Sequence, residues 1–227
     1  MRYDALVFDA DGVLCEPTDL GALRRAIRRA FRAHGVDDPP PDAVDRLLGT
    51  TPADLRAVCD ELAIADVAGF WRDRDRHASA AQRAAIRRGE KRLYDDVSAV
   101  TDLPVGRAVV SNNQQATVAF LLDHAGLADR FHPVIGRAPT LADVANKKPS
   151  PHHVERAVAA LGAERPLFVG DSNVDLGAAA AAGIDAAFVR REHRRDYALE
   201  YEPTHELTSL AELADLVTPP QRAAADD

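Results

Sequence analysis

The sequence predicts an α/β protein whose parallel sheet is interrupted, after the first strand, by a block of helices. Two observations carry this prediction. Apolar runs of strand length alternate with helical segments from about residue 94 onward, and strands that alternate with helices form parallel sheets with right-handed crossovers. Between the first apolar run and that region, residues 15–89 show helical periodicity alone.

The first predicted element is a strand at Ala5–Phe8, a continuous apolar run typical of a strand buried on both faces. From Thr18 onward, apolar residues recur at helical spacing with arginines on the opposite face. A proline triplet ends this pattern, and two or three further helices fit after it. We therefore expect an α/β core made of residues 1–14 and 90–227, with residues 15–89 inserted as an α-helical cap.

After the cap, four more strands alternate with helices, which makes the predicted core a Rossmann-like parallel sheet. The predicted strands are Ala108–Val110, Phe131–Ile135, Leu167–Val169 and Ala186–Val189. Helices are predicted around Val118–Leu122 and at Pro151–Leu161, Val174–Ala182 and Ser209–Leu216, followed by a frayed Ala/Asp tail.

Composition restricts the class of partner. The formal net charge of −8 argues against nucleic acid or an anionic membrane as the main partner. No apolar stretch approaches the roughly 20 residues that span a bilayer, and no leader precedes the first strand. We expect a cytoplasmic protein, monomeric or homodimeric, that acts on a small molecule.

Polar residues directly follow three of the predicted strands. Asp9 and Asp11 follow the first strand, Ser111 and Asn112 follow the second, and the segment 170–175 follows the fourth. Ligands of open α/β sheets bind at the carboxyl edge of the strands. We therefore expect these residues, which are distant in sequence, to meet in one crevice.

Two aspartates separated by one residue can act on the same ligand in different roles. A carboxylate can attack phosphorus and form an acyl phosphate. A neighbouring carboxyl of raised pKa can protonate the leaving group and later accept a proton from water. Asp9, which leaves the strand first, is the predicted nucleophile, and Asp11 is the predicted acid and base. Gly12 allows a tight turn after them.

Attack by one anion on another requires positive charge nearby. A magnesium ion held by Asp9 and Asp171 would supply it, because hard divalent cations prefer oxygen ligands. The chain has no Cys/His cluster that would favour zinc. Asp175, one helical turn further on, is expected to orient these ligands, with Ser172 as a second supporting residue.

Three further residues are candidates for binding the phosphoryl group. Lys148 offers a cation, and Ser111 and Asn112 offer hydrogen-bond donors. Taken alone, a Ser-Asn pair is more often a helix N-cap, and a lysine before a proline is more often a solvated loop residue. Their order along the chain, together with the aspartates, favours the functional interpretation.

Four motifs together resemble the haloacid dehalogenase superfamily. They are D-A-D-G-V-L after one strand, V-V-S-N-N after another, K-K-P-S-P, and G-D-S-N-V-D before a helix of small residues. The resemblance covers essentially the whole chain. The position of the cap is similar to that in the helical-cap subgroup, which contains phosphoglycolate phosphatase and β-phosphoglucomutase.

The resemblance implies a role for each matching residue. Asp9 would be phosphorylated, and Asp11 would be the acid and base and would also bind magnesium through its backbone carbonyl. Asp171 would bind the metal and Asp175 would support the site. Ser111 would bind the phosphoryl group. Lys148 would neutralise it, and Lys147 is less suited to that role.

The predicted function is a magnesium-dependent phosphatase that hydrolyses a small phosphorylated metabolite through an aspartyl-phosphate. Asp11 favours phosphate esters, because similar proteins that cleave carbon–halogen or phosphonate bonds lack an acid at that position. A sugar-phosphate mutase would share the same catalytic residues. A catalytically silent binding protein on the same scaffold is the third hypothesis.

The identity of the substrate is left open by the sequence. The cap selects the substrate in similar proteins, and two segments that border it, Cys15–Pro17 and Leu93–Val97, depart from the family's pattern. Within the cap, the stretch of Arg72, Arg74, Arg76 and His77 could reach an anionic tail of the substrate, but such a run is more often a solvated helix face.

Overall fold

The protein is built on a six-stranded parallel sheet. The computed structural model describes residues 3–217, and the strands lie in the order β3-β2-β1-β4-β5-β6. Neighbouring strands pair in parallel throughout this sheet, which confirms the predicted α/β class. The strands are β1 (Ala5–Phe8), β2 (Gly106–Gln114), β3 (Val134–Arg137), β4 (Pro166–Gly170), β5 (Asp185–Val189) and β6 (His205–Leu207).

Helices pack around the sheet and fill the segment between β1 and β2. They are α1 (Leu20–Ala33), α2 (Pro41–Arg46), α3 (Pro52–Glu61), α4 (Val67–Arg87), α5 (Ser98–Thr101), α6 (Gln115–His124), α7 (Leu141–Ala145), α8 (His152–Leu161) and α9 (Asn173–Ala181). Among the helices in residues 3–217, none is long and apolar enough to cross a membrane.

Two predicted elements differ in detail, and one strand was not predicted. The predicted helix Ser209–Leu216 is a 3-10 helix over Leu210–Asp215. The third strand begins at Val134 because Pro133, which has no N–H to donate, precedes it. Strand β6 was not predicted, since only three residues form it and two of them are polar. The frayed tail expected after Leu216 lies, from residue 218 onward, outside the described residues.

Strands β1 and β4 are buried on both faces, which explains their continuous apolar sequences. Successive side chains point to opposite faces of a sheet. Leu6 and Phe8 thus join the hydrophobic cluster on one face, whereas Val7 joins the cluster on the other face together with Val110 and Phe168.

The helices α1 to α4 have a hydrophobic cluster of their own, to which α7 of the core contributes Val144. The two connections between this block and the sheet lie side by side. The Glu16 amide donates to the Arg92 carbonyl at 2.9 Å, and the Tyr94 amide donates to the Leu14 carbonyl at 3.0 Å. The helical block follows β1, as predicted, and the boundaries at residues 15 and 89 stay a prediction.

Candidate active site

The sheet order brings the three predicted polar strand ends together. Strand β1 lies between β2 and β4, so Asp9 and Asp171, which follow β1 and β4, lie at the same edge of the sheet as Ser111. The second strand is longer than predicted, and Ser111 and Asn112 lie within its carboxyl-terminal part. Asp9, Ser111 and Asp171 are all buried. A buried, polar crevice at the carboxyl edge of parallel strands is the usual ligand site of this class of sheet.

The turn after β1 requires glycine at position 12. Gly12 has φ +87°, a region that side-chain-bearing residues rarely adopt. A Cβ at this position would also lie 2.2 Å from Oδ2 of Asp171. Gly12 therefore permits the sharp turn after β1, and it allows the Asp171 side chain to approach that turn closely.

Three carboxylates form a buried oxygen cluster at this edge. One oxygen each from Asp9, Asp171 and Asp175 lies within 4.8 Å of the other two. Gly170 permits this approach, because a Cβ there would lie 2.3 Å from Cβ of Asp175. The Ser172 hydroxyl and the Asp171 amide both donate to Oδ2 of Asp175, which fixes the orientation of that carboxylate.

Lys148 supplies positive charge to this cluster. Its ammonium lies 2.7 Å from Oδ1 of Asp9 and 2.6 Å from Oδ1 of Asp175, and it donates to the Val110 carbonyl at 3.0 Å. Burial alone lowers the pKa of Lys148, but the Asp175 and Asp9 carboxylates outweigh burial and hold the pKa above its usual value.

Asn112 fixes the loop that carries this lysine. The Asn112 amide nitrogen donates to the Lys148 carbonyl at 3.0 Å, and its oxygen accepts the Lys148 N–H at 2.8 Å. The side chain of Asn112 is therefore engaged in positioning Lys148. The hydroxyl of Ser111 accepts the N–H of Asn113 at 3.2 Å.

The charges around Asp9 favour an additional cation. Burial raises the pKa of Asp9 to about 7, with the Asp175 and Asp171 carboxylates adding to the rise and Lys148 opposing it. Among the described residues, Lys148 and Arg194 are the two lysine or arginine side chains that pair with the three carboxylates. Nε of Arg194 lies 2.9 Å from Oδ2 of Asp171. Three hard oxygen donors with a surplus of negative charge fit magnesium.

The carboxylate of Asp11 lies apart from this oxygen cluster and is held by four donors. Lys91 contacts Oδ1 at 2.6 Å, as does the Cys15 thiol at 3.3 Å. Thr18 and Asn113 donate to Oδ2 at 3.0 and 2.9 Å. The magnesium contact predicted for Asp11 was through its backbone carbonyl and stays a prediction.

Sequence reasoning missed several of these partners. Lys91 belongs to no motif, although it is one of only three lysines in the chain, and that rarity was the available signal. It is 4% exposed. Gln82 of α4 also accepts from Lys91, at 3.2 Å, and donates to Asn113 at 2.9 Å, so the cap contacts the residues that hold Asp11. His193 and its neighbour Arg194 both contact Asp171, and neither belongs to one of the four motifs.

A cavity of about 360 Å³ lies between the cap and this edge of the sheet. Asp11 and Lys148 line it from the core, and Trp71 and Arg74 line it from α4. The interpretation of the arginine run as a solvated face is therefore wrong for Arg74, which is 4% exposed. Helical spacing alone does not show that Arg74 is buried, because its burial depends on the ion pair with the buried Asp75.

Comparison with known proteins agrees with the motifs. Residues 3–183 match the family model of haloacid dehalogenase-like hydrolases. The chain is 29% identical over 230 residues to the phosphoglycolate phosphatase of Yersinia pseudotuberculosis, covering 93% of this chain and 90% of that protein. It is 31% identical over 128 residues to the pyrophosphatase PpaX of Halalkalibacterium halodurans, covering 55% of this chain and 58% of that protein.

A solved structure is similar to this chain over both the sheet core and the helical block. CbbY from Rhodobacter sphaeroides, in complex with phosphate, superposes with a TM-score of 0.68 at 25% identity, covering 93% of this chain and 96% of that chain. The strand order, the four motifs and the family model agree, and the chain belongs to the haloacid dehalogenase-like hydrolases.

Proposed function

We propose that the protein is a magnesium-dependent phosphatase that hydrolyses a small phosphate monoester, with Asp9 as the nucleophile. The surroundings of Asp9 carry the proposal. Its carboxylate is buried at the end of β1, lies 2.7 Å from the Lys148 ammonium, and shares a cluster of oxygens with Asp171 and Asp175. The names of the related phosphoglycolate phosphatase and pyrophosphatase PpaX support phosphate as the group transferred.

The oxygen cluster provides ligands for the metal. Asp9 and Asp171, together with the backbone carbonyl of Asp11, would hold magnesium, which when bound supplies positive charge to the phosphoryl oxygens. Lys148 and Ser111 would hold those oxygens from the protein side. This charge allows the Asp9 carboxylate to approach a phosphate that is itself an anion.

In the first step, a carboxylate oxygen of Asp9 forms a bond to phosphorus while the bond from phosphorus to the ester oxygen breaks. The leaving oxygen takes a proton from Asp11, and the alcohol departs. In the second step, water attacks phosphorus, Asp11 accepts its proton, and the bond from phosphorus to Asp9 breaks. Inorganic phosphate leaves and both carboxyl groups return to their starting states.

The contacts of Asp11 fix its position for these two proton transfers. Four donors hold its carboxylate at the wall of the cavity that Lys148 also lines. An acid that is fixed in position beside the reacting atoms does not have to be reoriented between the two steps. Thr18 and Gln82 connect this carboxylate to the cap, Thr18 by a direct hydrogen bond and Gln82 through Thr18 and Asn113.

The test is phosphate release from a panel of phosphate monoesters, in magnesium and in chelator. We expect release with magnesium only, and Asp9→Asn should abolish it while the variant keeps the melting temperature of the folded protein. Full activity of Asp9→Asn would refute the assignment of the nucleophile. The same panel decides the rival hypotheses, because a mutase interconverts sugar phosphates without net release and a silent binding protein does neither.

A further inference from the structure

The connection between β5 and β6, residues 190–204, contacts the metal-ligand side of the proposed site, although none of the four motifs includes it. It begins with the stretch R-R-E-H-R-R, which contains four arginines. Such a charged run is usually a solvated surface. Here the side chains of Arg190, Arg191 and Arg194 are at most 29% exposed, whereas that of Arg195 is 68% exposed. The first three arginines therefore face the protein.

His193 and Arg194 both donate to one oxygen of Asp171. Nε2 of His193 lies 2.8 Å and Nε of Arg194 lies 2.9 Å from Oδ2. Among residues 3–217, no other group donates a hydrogen bond to this carboxylate, so Oδ1 receives none. Outer hydrogen bonds of this kind fix the orientation of a metal-binding carboxylate, and here they leave one of its oxygens available to a cation.

The same connection contacts the turn after β1, which carries the other predicted metal ligands. Arg191 donates to the Val13 carbonyl at 2.8 Å and contacts the two carboxylate oxygens of Asp96 at 2.7 and 2.9 Å. The Asp96 carboxylate also accepts the Leu210 N–H at 2.9 Å, so it is fixed in turn. Arg191 therefore links the turn after β1 to the segment that holds Asp171.

The later part of the connection holds the start of α9, two residues after Asp171. The Asn173 N–H donates to the Tyr197 hydroxyl at 3.3 Å, and the Asn173 side chain donates to the Ala198 carbonyl at 3.1 Å. The Glu200 N–H donates back to Oδ1 of Asn173 at 2.9 Å. Both the side chain of Asp171 and the backbone that follows it are therefore held by one segment, which reduces the conformational freedom that metal binding would otherwise have to remove.

We propose that His193 and Arg194 are positioning residues for the metal, because they hold Oδ2 of Asp171 and so orient this carboxylate before magnesium binds. The two are consecutive residues of a 3-10 helix, Glu192–Arg194, and act on Asp171 as a unit. The inference rests on the proposed magnesium-dependent function and adds to it residues outside the four motifs. If Arg194 were only a counter-ion that magnesium displaces, His193 would have no influence on the affinity for the ion.

Calorimetric titration of the purified full chain with magnesium, at one fixed pH, tests the inference. His193→Leu removes the donor and keeps a side chain of similar size. We expect its Kd for magnesium to be roughly tenfold higher than that of the wild type, since losing an outer contact of a metal ligand costs about 10- to 100-fold in affinity and Arg194 remains. His193 is the cleaner target, because replacing Arg194 would remove a permanent cation, and with it repulsion of the ion, together with the donor.

Two further variants separate positioning from a general effect on the fold. His193→Gln can place an amide N–H near the position of Nε2, so it should retain most of the wild-type affinity. Arg195→Gln is the matched control, since Arg195 lies in the same connection but is exposed and pairs with Glu192; its Kd should equal that of the wild type. The Tm of His193→Leu in chelator should fall by a few degrees at most, because among residues 3–217 the His193 side chain forms one hydrogen bond.

The outcomes distinguish this inference from the proposed function. Wild-type affinity in His193→Leu, or tighter binding, overturns the inference and leaves the phosphatase proposal standing. An equal loss in His193→Gln or in Arg195→Gln overturns it too, since the effect would then not depend on a donor to Asp171. If the wild type neither binds magnesium nor releases phosphate from any ester in its presence, the proposed function fails and the inference fails with it.

Discussion

Replacing Lys148 with methionine should destabilise the metal-free protein far more than the same replacement of its neighbour Lys147. Lys148 is the shared cation of two buried carboxylates, with Nζ 2.7 Å from Asp9 and 2.6 Å from Asp175. The substitution preserves most of the apolar stem and removes the charge. Both carboxylates would then be buried without their main counter-ion.

The expected cost is about 3 kcal/mol. Removing one partner of a buried ion pair costs about 3–5 kcal/mol. We take the lower end because the pKa of Asp9 is already raised to about 7, so this carboxylate can take up a proton when the lysine is lost. For a chain of this size, 1 kcal/mol shifts Tm by about 2–4 °C, which gives a decrease of roughly 6–12 °C.

The stabilisation that Lys148 provides depends on the pH of the melting experiment. Because the carboxylates hold the pKa of Lys148 above its unfolded value, the stabilisation is present in full below the unfolded pKa of about 10.4. It is lost only when the pH rises through the higher folded value. Melting at pH 7 in chelator is therefore measured with the Lys148 charge fully present and with Asp9, whose pKa is raised to about 7, about half ionised.

Lys147→Met is the matched control. The Lys147 ammonium donates to one backbone carbonyl, and its pKa is lowered to about 8, so its charge is a burden to the folded state at pH 7. We expect a Tm within a few degrees of the wild type. Magnesium should narrow the gap for Lys148→Met, because a bound cation replaces the lost charge. If both variants melt alike in chelator, the assignment of Lys148 as counter-ion is wrong.

Three further predictions concern catalysis and the metal. Lys91→Gln should lower kcat by roughly 10- to 100-fold with KM little changed, because Asp11 loses the cation that holds its carboxylate; a larger change in KM than in kcat would count against this role. Gly12→Ala should raise the magnesium concentration required for half-maximal activity, since its Cβ would displace Asp171; unchanged magnesium activation would contradict the predicted contact. Finally, the magnesium affinity measured by calorimetry should weaken as the pH falls below about 7. Below that pH the Asp9 carboxylate of the metal-free protein gains a proton, which the ion must displace. Equal affinity at pH 6 and 8 would exclude this linkage.

The sheet and the strand ends were predictable because both depend on local signals. A parallel strand covered on both faces must be apolar throughout, and the ligand edge follows from strand direction. Asp9, Ser111 and Asp171 could therefore be placed at one edge from the apolar runs before them. Strand β6 gives no such signal, because its three residues include His205 and Glu206.

The buried cluster of Arg74, Asp75 and Arg137 could not be predicted from the sequence. Arg74 and Asp75 lie in a charged stretch of α4, and charged residues on a helix usually face water. Their buried state depends on Arg137, which lies 62 residues beyond Asp75 along the chain. No periodicity or motif connects positions so far apart, so only the three-dimensional structure identifies them as one cluster.

The most direct test of the proposed chemistry is the site of phosphorylation during turnover. The protein is mixed with a labelled phosphate ester and magnesium, quenched in acid within one turnover, and digested for peptide mapping by mass spectrometry. The account predicts that one phosphoryl group is attached to Asp9 and that Asp9→Asn carries none. Turnover without label on Asp9, or label on another residue, would contradict it.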